Sequence, residues 1–183
     1  DYFGFEGDGD NLYLIENYIV SHNSGKSHFL ASCGIGALLT KNHEGKPHTV
    51  VHYTLELSDI ETGRRYDASL AGVEINDVPS SKEKILLTLK NKLPAGCNLI
   101  IKEYPMKTAS VQTIKAHLSK LRLKNVIPDI VIIDYGDLLT SVEKHKEERF
   151  NTSSVWMDMK RLAQEMKIPV VTATQSNRDG FND

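Results

Sequence analysis

The run Ile130-Val131-Ile132-Ile133, with Asp129 before it and Asp134 after it, constrains this chain more than any other segment. Four consecutive β-branched apolar residues cannot alternate between a core and water, so a strand made of them must be covered on both faces. Thr49-Val50-Val51-His52-Tyr53-Thr54-Leu55, Asn98-Leu99-Ile100-Ile101 and Ile168-Pro169-Val170-Val171-Thr172-Ala173-Thr174 read as further strands. Helical patterns separate them. Residues 26–41 form one, opening directly after Gly25, and Ser58-Asp59-Ile60-Glu61 supplies a capping box for the next. A third helix starts after Pro79 at Ser80-Ser81-Lys82-Glu83, with Ile85, Leu86, Leu89 and Leu93 on one face. Val111, Ile114, Leu118 and Leu121 follow Ser110 as a cap, and Val155, Met159, Leu162 and Met166 mark a last helix. Apolar strands alternating with helices predict an α/β fold: a mostly parallel sheet with helices on both faces.

The 183 residues suit one domain, and no internal repeat or low-complexity tract divides them. Cys33 and Cys97 are too few for a disulfide framework and lack metal-ligand spacing. With 22 Lys and Arg against 24 Asp and Glu, the net charge of −2 excludes a globally basic nucleic-acid coat but leaves room for a local patch. No apolar run approaches the roughly 20 residues of a membrane span, and Asp1-Tyr2-Phe3-Gly4-Phe5-Glu6 does not begin a signal peptide. A soluble, cytoplasmic location is the expectation, with no membrane partner. The charged stretch 140–151 reads as a mobile loop.

Ser24-Gly25-Lys26-Ser27 is the second half of the phosphate-loop pattern Gly-x-x-x-x-Gly-Lys-Ser/Thr. Glycine lets backbone N–H groups close on phosphate, and the helix that follows adds its dipole. Lys26 would then meet the β- and γ-phosphates, and the Ser27 hydroxyl would bind magnesium. The tripeptide alone is common on surfaces, but here it opens an apolar helix. Three predicted strands also end in Glu56, Asp134 and Gln175, on the edge where parallel sheets bind ligands. Asp134 has the form of an acid that orders magnesium and its waters. Glu56 would polarise an attacking water, and Gln175 would sense the γ-phosphate. Any one of these can be an ordinary wet strand end; together they point to a nucleotide site.

Gly25-Lys26-Ser27, Thr54-Leu55-Glu56-Leu57-Ser58, Ile132-Ile133-Asp134-Tyr135 and Thr174-Gln175-Ser176-Asn177-Arg178 resemble the ordered motifs of RecA-like motor domains. The similarity is greatest to replicative helicases of the DnaB family, especially phage versions. Met159-Lys160-Arg161-Leu162-Ala163-Gln164-Glu165 and Ile168-Pro169-Val170 fit the same pattern. The resemblance spans about residues 24–178 and implies a RecA-like P-loop NTPase core using ATP and Mg2+. It also implies single-stranded DNA as the parent protein's partner and a homo-hexamer. Lys26, Ser27, Glu56, Asp134 and Gln175 inherit nucleotide-site roles. Tyr135-Gly136-Asp137-Leu138 departs from the family's continuation, so no role transfers there. Further strands, a second DNA-binding loop and an arginine for the neighbouring subunit are expected beyond Asp183.

The start of the loop is different. The position five residues before Gly25 is Val20, followed by Ser21-His22-Asn23, and none is the required glycine. The stretch from Asp10 through Leu12-Tyr13-Leu14-Ile15 and Tyr18-Ile19-Val20 to His22-Asn23-Ser24 resembles the C-terminal end of an intein. That divides the chain into residues 1–23, an intein remnant, and residues 24–183, a truncated ATPase domain. In inteins the Ser24 hydroxyl would accept the upstream extein as an ester, and Asn23 would cyclise and cut the Asn23–Ser24 bond while His22 polarises the carbonyl. His-Asn-Ser is equally an ordinary loop tripeptide. The upstream junction and first-half residues are not in this sequence, so an upstream intein or extein half is the implied partner. Tyr18-Ile19-Val20 is expected to take a strand position in the motor sheet, with Leu12-Tyr13-Leu14-Ile15 paired to it as a hairpin or packed nearby.

Other signals favour plain roles. Lys115, Lys120, Arg122 and Lys124 read as a solvated helix face, and Lys144, Lys146 and Arg149 are interleaved with Glu143, Glu147 and Glu148. His48 and His52 lack a third metal ligand, and Trp156 reads as packing or a subunit contact. Three functions remain: an ATP-driven motor core, with little or no hydrolysis expected of this polypeptide; a non-hydrolysing nucleotide-binding module of the same fold; and self-processing at Asn23–Ser24.

Overall fold

The computed structural model describes residues 25–142 and 148–174, with the backbone alone for 12–15, 19–22, 148 and 149. Leu12–Ile15 (β1) and Ile19–His22 (β2) pair antiparallel, Leu12 opposite His22 and Ile15 opposite Ile19. They form their own two-stranded sheet. The hairpin expected of these segments is present, but the placement of Ile19 and Val20 in the main sheet is not: among the described strands β2 pairs with β1 alone, and Tyr18 lies outside the described residues.

Helix α1 (Lys26–Leu39) leads to β3 (Thr49–Thr54), α2 (Asp59–Ala71), α3 (Lys82–Lys92) and β4 (Asn98–Glu103). Then come α4 (Val111–Leu123), β5 (Ile130–Asp134), α5 (Glu148–Met166) and β6 (Val170–Thr172). The four strands β3 to β6 form a wholly parallel sheet in the order β4-β3-β5-β6. The α/β expectation therefore holds.

Strand alternation divides the core into two layers. On one face Val50 and Ile132 meet Leu30, Ala31 and Leu38 of α1 and Tyr66 of α2. On the other, Val51, Tyr53, Val131 and Ile133 meet Val111, Ile114 and Leu118 of α4 and Val155, Met159, Leu162 and Met166 of α5. Burying each such side chain contributes about 1.5–3 kcal/mol, so β3 and β5, fully covered, anchor the sheet. Strand β4 is an edge, and its exposed ends show why its sequence is the more polar.

The capping box at Ser58 is formed in full: its hydroxyl accepts from the Glu61 N–H, and the Glu61 carboxylate accepts from the Ser58 N–H at 3.1 Å. Ser110 caps α4 in the same way, with Thr113 as its partner. Two expectations fail in detail. Only Ile85 of the apolar face read for α3 is buried, and Leu86 is 68 % exposed, because α3 packs on α2 and Val78 rather than on the sheet. Residues 148–151 of the expected loop belong to α5, whereas 143–147 lie outside the described residues. His52 faces Tyr66 and His48 bonds the Ala37 carbonyl, so both serve packing. Trp156 packs against the α4–α5 core layer. No helix among the described residues is long and apolar enough to cross a membrane.

Candidate nucleotide site

Strand β3 sends its chain to α2 on one face, while β5 leads toward α5 on the other. Neighbouring parallel strands that part in this way leave a crevice at their carboxyl ends, where α/β sheets bind ligands. Gly25, the N-cap of α1, adopts left-handed angles (φ 60°, ψ 7°) that favour glycine. Among the described residues no side chain caps α1, and the N-terminus of a helix favours an anion.

Four sequence-predicted residues come together here. Asp134 ends β5, is 1 % exposed, and has the Ser27 hydroxyl near enough to its carboxyl group to lower its pKa. Its Oδ1 has no partner among the described residues. Burial raises the Asp134 pKa; the Ser27 hydroxyl opposes that, the Glu56 charge adds to it, and Arg65 and Lys26 lower it. Ser27, Glu56, Arg65 and Lys26 therefore all lie near enough to Asp134 to influence its charge. A carboxylate buried with an orphaned oxygen beside a hydroxyl fits a magnesium ion, which takes few protein ligands and keeps several waters.

Glu56 is exposed just past β3. The Leu55 N–H bonds the Asp134 carbonyl at 2.9 Å, carrying the β3–β5 ladder one step beyond the strand. Thr54, fully buried, donates its hydroxyl to the Leu57 carbonyl at 2.7 Å and accepts from the Leu57 N–H at 3.2 Å. That reciprocal pair bends the chain at Glu56. Gln175, Ser24 and Asn23 lie outside the described residues, and His22 is described by its backbone alone. Thr174, the residue before Gln175, donates to Asp137 Oδ2 at 2.8 Å, and the Thr172 hydroxyl bonds the Ile133 carbonyl at 2.8 Å. The end of β6 is thereby fastened to the end of β5. The Gly136 N–H also donates to Thr172 Oγ1 at 2.9 Å, and a Cβ at Gly136 would meet Met159 Cε at 2.8 Å.

Three residues here escaped the sequence reading. Arg65 of α2 reaches across to α1, its Nη1 donating to His28 Nε2 at 2.7 Å. A guanidinium only donates, so Nε2 must accept and the imidazole is neutral. Burial, then the Arg65 charge, lowers the His28 pKa accordingly. The third is Tyr135, whose ring centre is 5.5 Å from Lys26 Nζ, within cation–π range. The only linear signal for Arg65 is its spacing from Thr62 on the inner side of α2. The contact itself depends on how α1 and α2 pack.

Residues 19–181 match the family described as the DnaB-like helicase C-terminal domain. The DnaB-like replicative helicase of Enterobacteria phage T4 is 26 % identical over 171 residues, covering 87 % of this chain and 34 % of that protein. The replicative DNA helicase DnaB of Mycobacterium intracellulare is 28 % identical over 176 residues, covering 93 % and 28 %. The chain thus spans about a third of the length of these relatives. Among solved structures, a DnaB-like replicative helicase, described with its interactions with primase, superposes with a TM-score of 0.66 at 18 % identity. That match covers 87 % of this chain and 38 % of the other. A second solved structure, described as an ATPase domain, gives a TM-score of 0.64 at 18 % identity, covering 86 % of this chain and 56 % of that one. These two likenesses carry the fold alone, a parallel sheet with helices on both faces. Matched over most of its length, the chain belongs to the DnaB-like helicase C-terminal domain family.

Proposed function

We propose that residues 24–183 are the ATP-binding motor core of a replicative DNA helicase, with magnesium held between Ser27 and Asp134. The convergence of Lys26, Ser27, Glu56, Arg65 and Asp134 at one crevice carries this reading. Lys26 and the first N–H groups of α1 hold the phosphates, and Arg65 sets the charge around Asp134. Glu56 polarises the attacking water and Gln175 reads the γ-phosphate. Magnesium, when bound, neutralises charge on the β- and γ-phosphates. Single-stranded DNA is the polymer acted on, a homo-hexamer the working assembly and the cytoplasm its place, as the family likeness suggests.

Residues 1–23 are, in the same reading, the C-terminal end of an intein, with His22, Asn23 and Ser24 at its junction. The support is the sequence around Asn23–Ser24 and the lack of glycine at Val20; the family match itself begins at residue 19. With that segment in place of a full phosphate loop, binding without turnover is the expected behaviour of this polypeptide.

Calorimetric titration of magnesium-ATP into the whole chain tests the site. Binding that disappears in Lys26→Ala supports it, and no binding in either protein refutes it for this chain. Intact mass after long incubation tests the junction. Slow loss of residues 1–23, blocked by Asn23→Ala, is the expected result; a mass unchanged in both proteins counts against an active junction.

A further inference from the structure

On the face of the sheet opposite the nucleotide site, a series of contacts gathers basic side chains at the β4 edge. Lys102 of β4 places its Nζ 5.5 Å from the centre of the Tyr104 ring. Tyr104 stacks on Tyr53, with centroids 6.1 Å apart, and the Tyr53 hydroxyl is 2.8 Å from His117 Nδ1 of α4. His117 and Lys120 lie three residues apart on one side of α4, and Lys124 is the C-cap that follows the helix. Lys102, Lys120 and Lys124 are all exposed. Each lowers the His117 pKa, after the larger effect of burial, so their charges meet at that ring.

Among the described residues no carboxylate forms an ion pair with Lys102, Lys120 or Lys124. Lys115 is paired with Glu165, and Arg122 donates to the Met166 carbonyl at 2.9 Å. Strand alternation puts Glu103 on the other face, where it accepts the Asp59 N–H at 3.2 Å. Like charges gathered in a protein of net charge −2 call for an external anion. Lysine is a point charge that meets a phosphate from any direction, whereas the planar fork that best suits a carboxylate is engaged elsewhere, at Met166. The half-buried Tyr104 adds an aromatic surface of the kind that accompanies single-stranded chains.

We propose that Lys102, Tyr104, His117, Lys120 and Lys124 form a docking surface for the phosphate backbone of a single-stranded nucleic acid. The proposal rests on the DNA-acting part of the function given above and does not require nucleotide.

Fluorescence anisotropy of a labelled oligothymidylate, titrated with the whole chain without ATP over a salt series, tests it. Each neutralised phosphate contributes roughly −0.7 to the slope of log K against log salt, so three lysines give about −2. Changing Lys102, Lys120 and Lys124 together to alanine should abolish that binding, and changing all three to arginine should preserve it. Circular dichroism melting checks that both variants fold. The proposal is overturned if the oligonucleotide does not bind, if the alanine variant binds equally well, or if polyglutamate of equal charge competes as well as the oligonucleotide. Because nucleotide is absent, failure here leaves the Lys26-dependent titration untouched, and failure of that titration leaves this one standing.

Discussion

Two glycines two residues apart on α1 should respond to alanine with opposite signs. A Cβ on Gly34 would overlap the Tyr66 hydroxyl oxygen and fall 2.9 Å from two of its ring carbons. Tyr66 cannot withdraw freely: it is 1 % exposed, its ring meets His52 edge-on at 5.7 Å, and its hydroxyl is 2.9 Å from His52 Nδ1. Gly34→Ala must therefore push the hydroxyl off His52, whose Nε2 already has no partner among the described residues. Breaking that buried bond costs about 1–3 kcal/mol and overpacking about 1–3 more, while alanine returns about 1 kcal/mol of helix propensity. The net is a loss of about 3 kcal/mol, which lowers Tm by roughly 6–12 °C in a chain of this size. Gly36 has nothing within 4 Å, so Gly36→Ala gains the propensity alone, and Tm rises by about 2–4 °C. Paired thermal and urea melts of the two variants measure the difference. A Gly34→Ala protein as stable as its parent would show that α1 and α2 do not pack as described, and the Arg65–His28 contact would fall with it.

Acid sensitivity follows from the same pair. Burial lowers the His52 pKa to about 4, so the folded protein excludes a proton that the unfolded chain accepts near pH 6.5. The contribution of His52 to stability is complete above pH 6.5 and lost as pH falls toward 4, at most about 3 kcal/mol. Urea melts across that window should show the decline, with a flatter slope in His52→Gln; equal slopes would contradict it. Arg65→Ala should weaken magnesium-ATP binding about 10-fold, roughly 1.4 kcal/mol, through loss of the positive charge near Asp134 and of the His28 contact that joins α2 to α1. Calorimetry alongside Arg65→Lys measures it, and unchanged affinity would remove Arg65 from the site.

The sheet and its motifs were legible in the sequence because they depend on local signals. Ile130 to Ile133 could only be a covered strand, and Ser58 with Glu61 and Ser110 with Thr113 form the bonds their spacing permits. Asp134 is legible for a similar reason, since an acid closing an apolar run lies at the crevice. What stayed hidden needs two helices at once. Arg65 and His28 are 37 positions apart and meet only because α1 and α2 share a face of the sheet. Leu86 misled because periodicity gives an apolar side to a helix without saying what lies opposite it, and beneath α3 lies another helix. The lysines of α4 likewise read as an ordinary solvated face until Tyr53, from a distant strand, ties them to Lys102.

Thr172 has a mechanical meaning beyond its bonds. One hydroxyl, donating to the Ile133 carbonyl and accepting from the Gly136 N–H, straddles the last peptide units of β5. For the two strand tips to slide apart, both contacts must break together, so they form a single stiff plate. Any hinge that turns an event at this crevice into larger movement must therefore lie beyond the plate rather than between its strands.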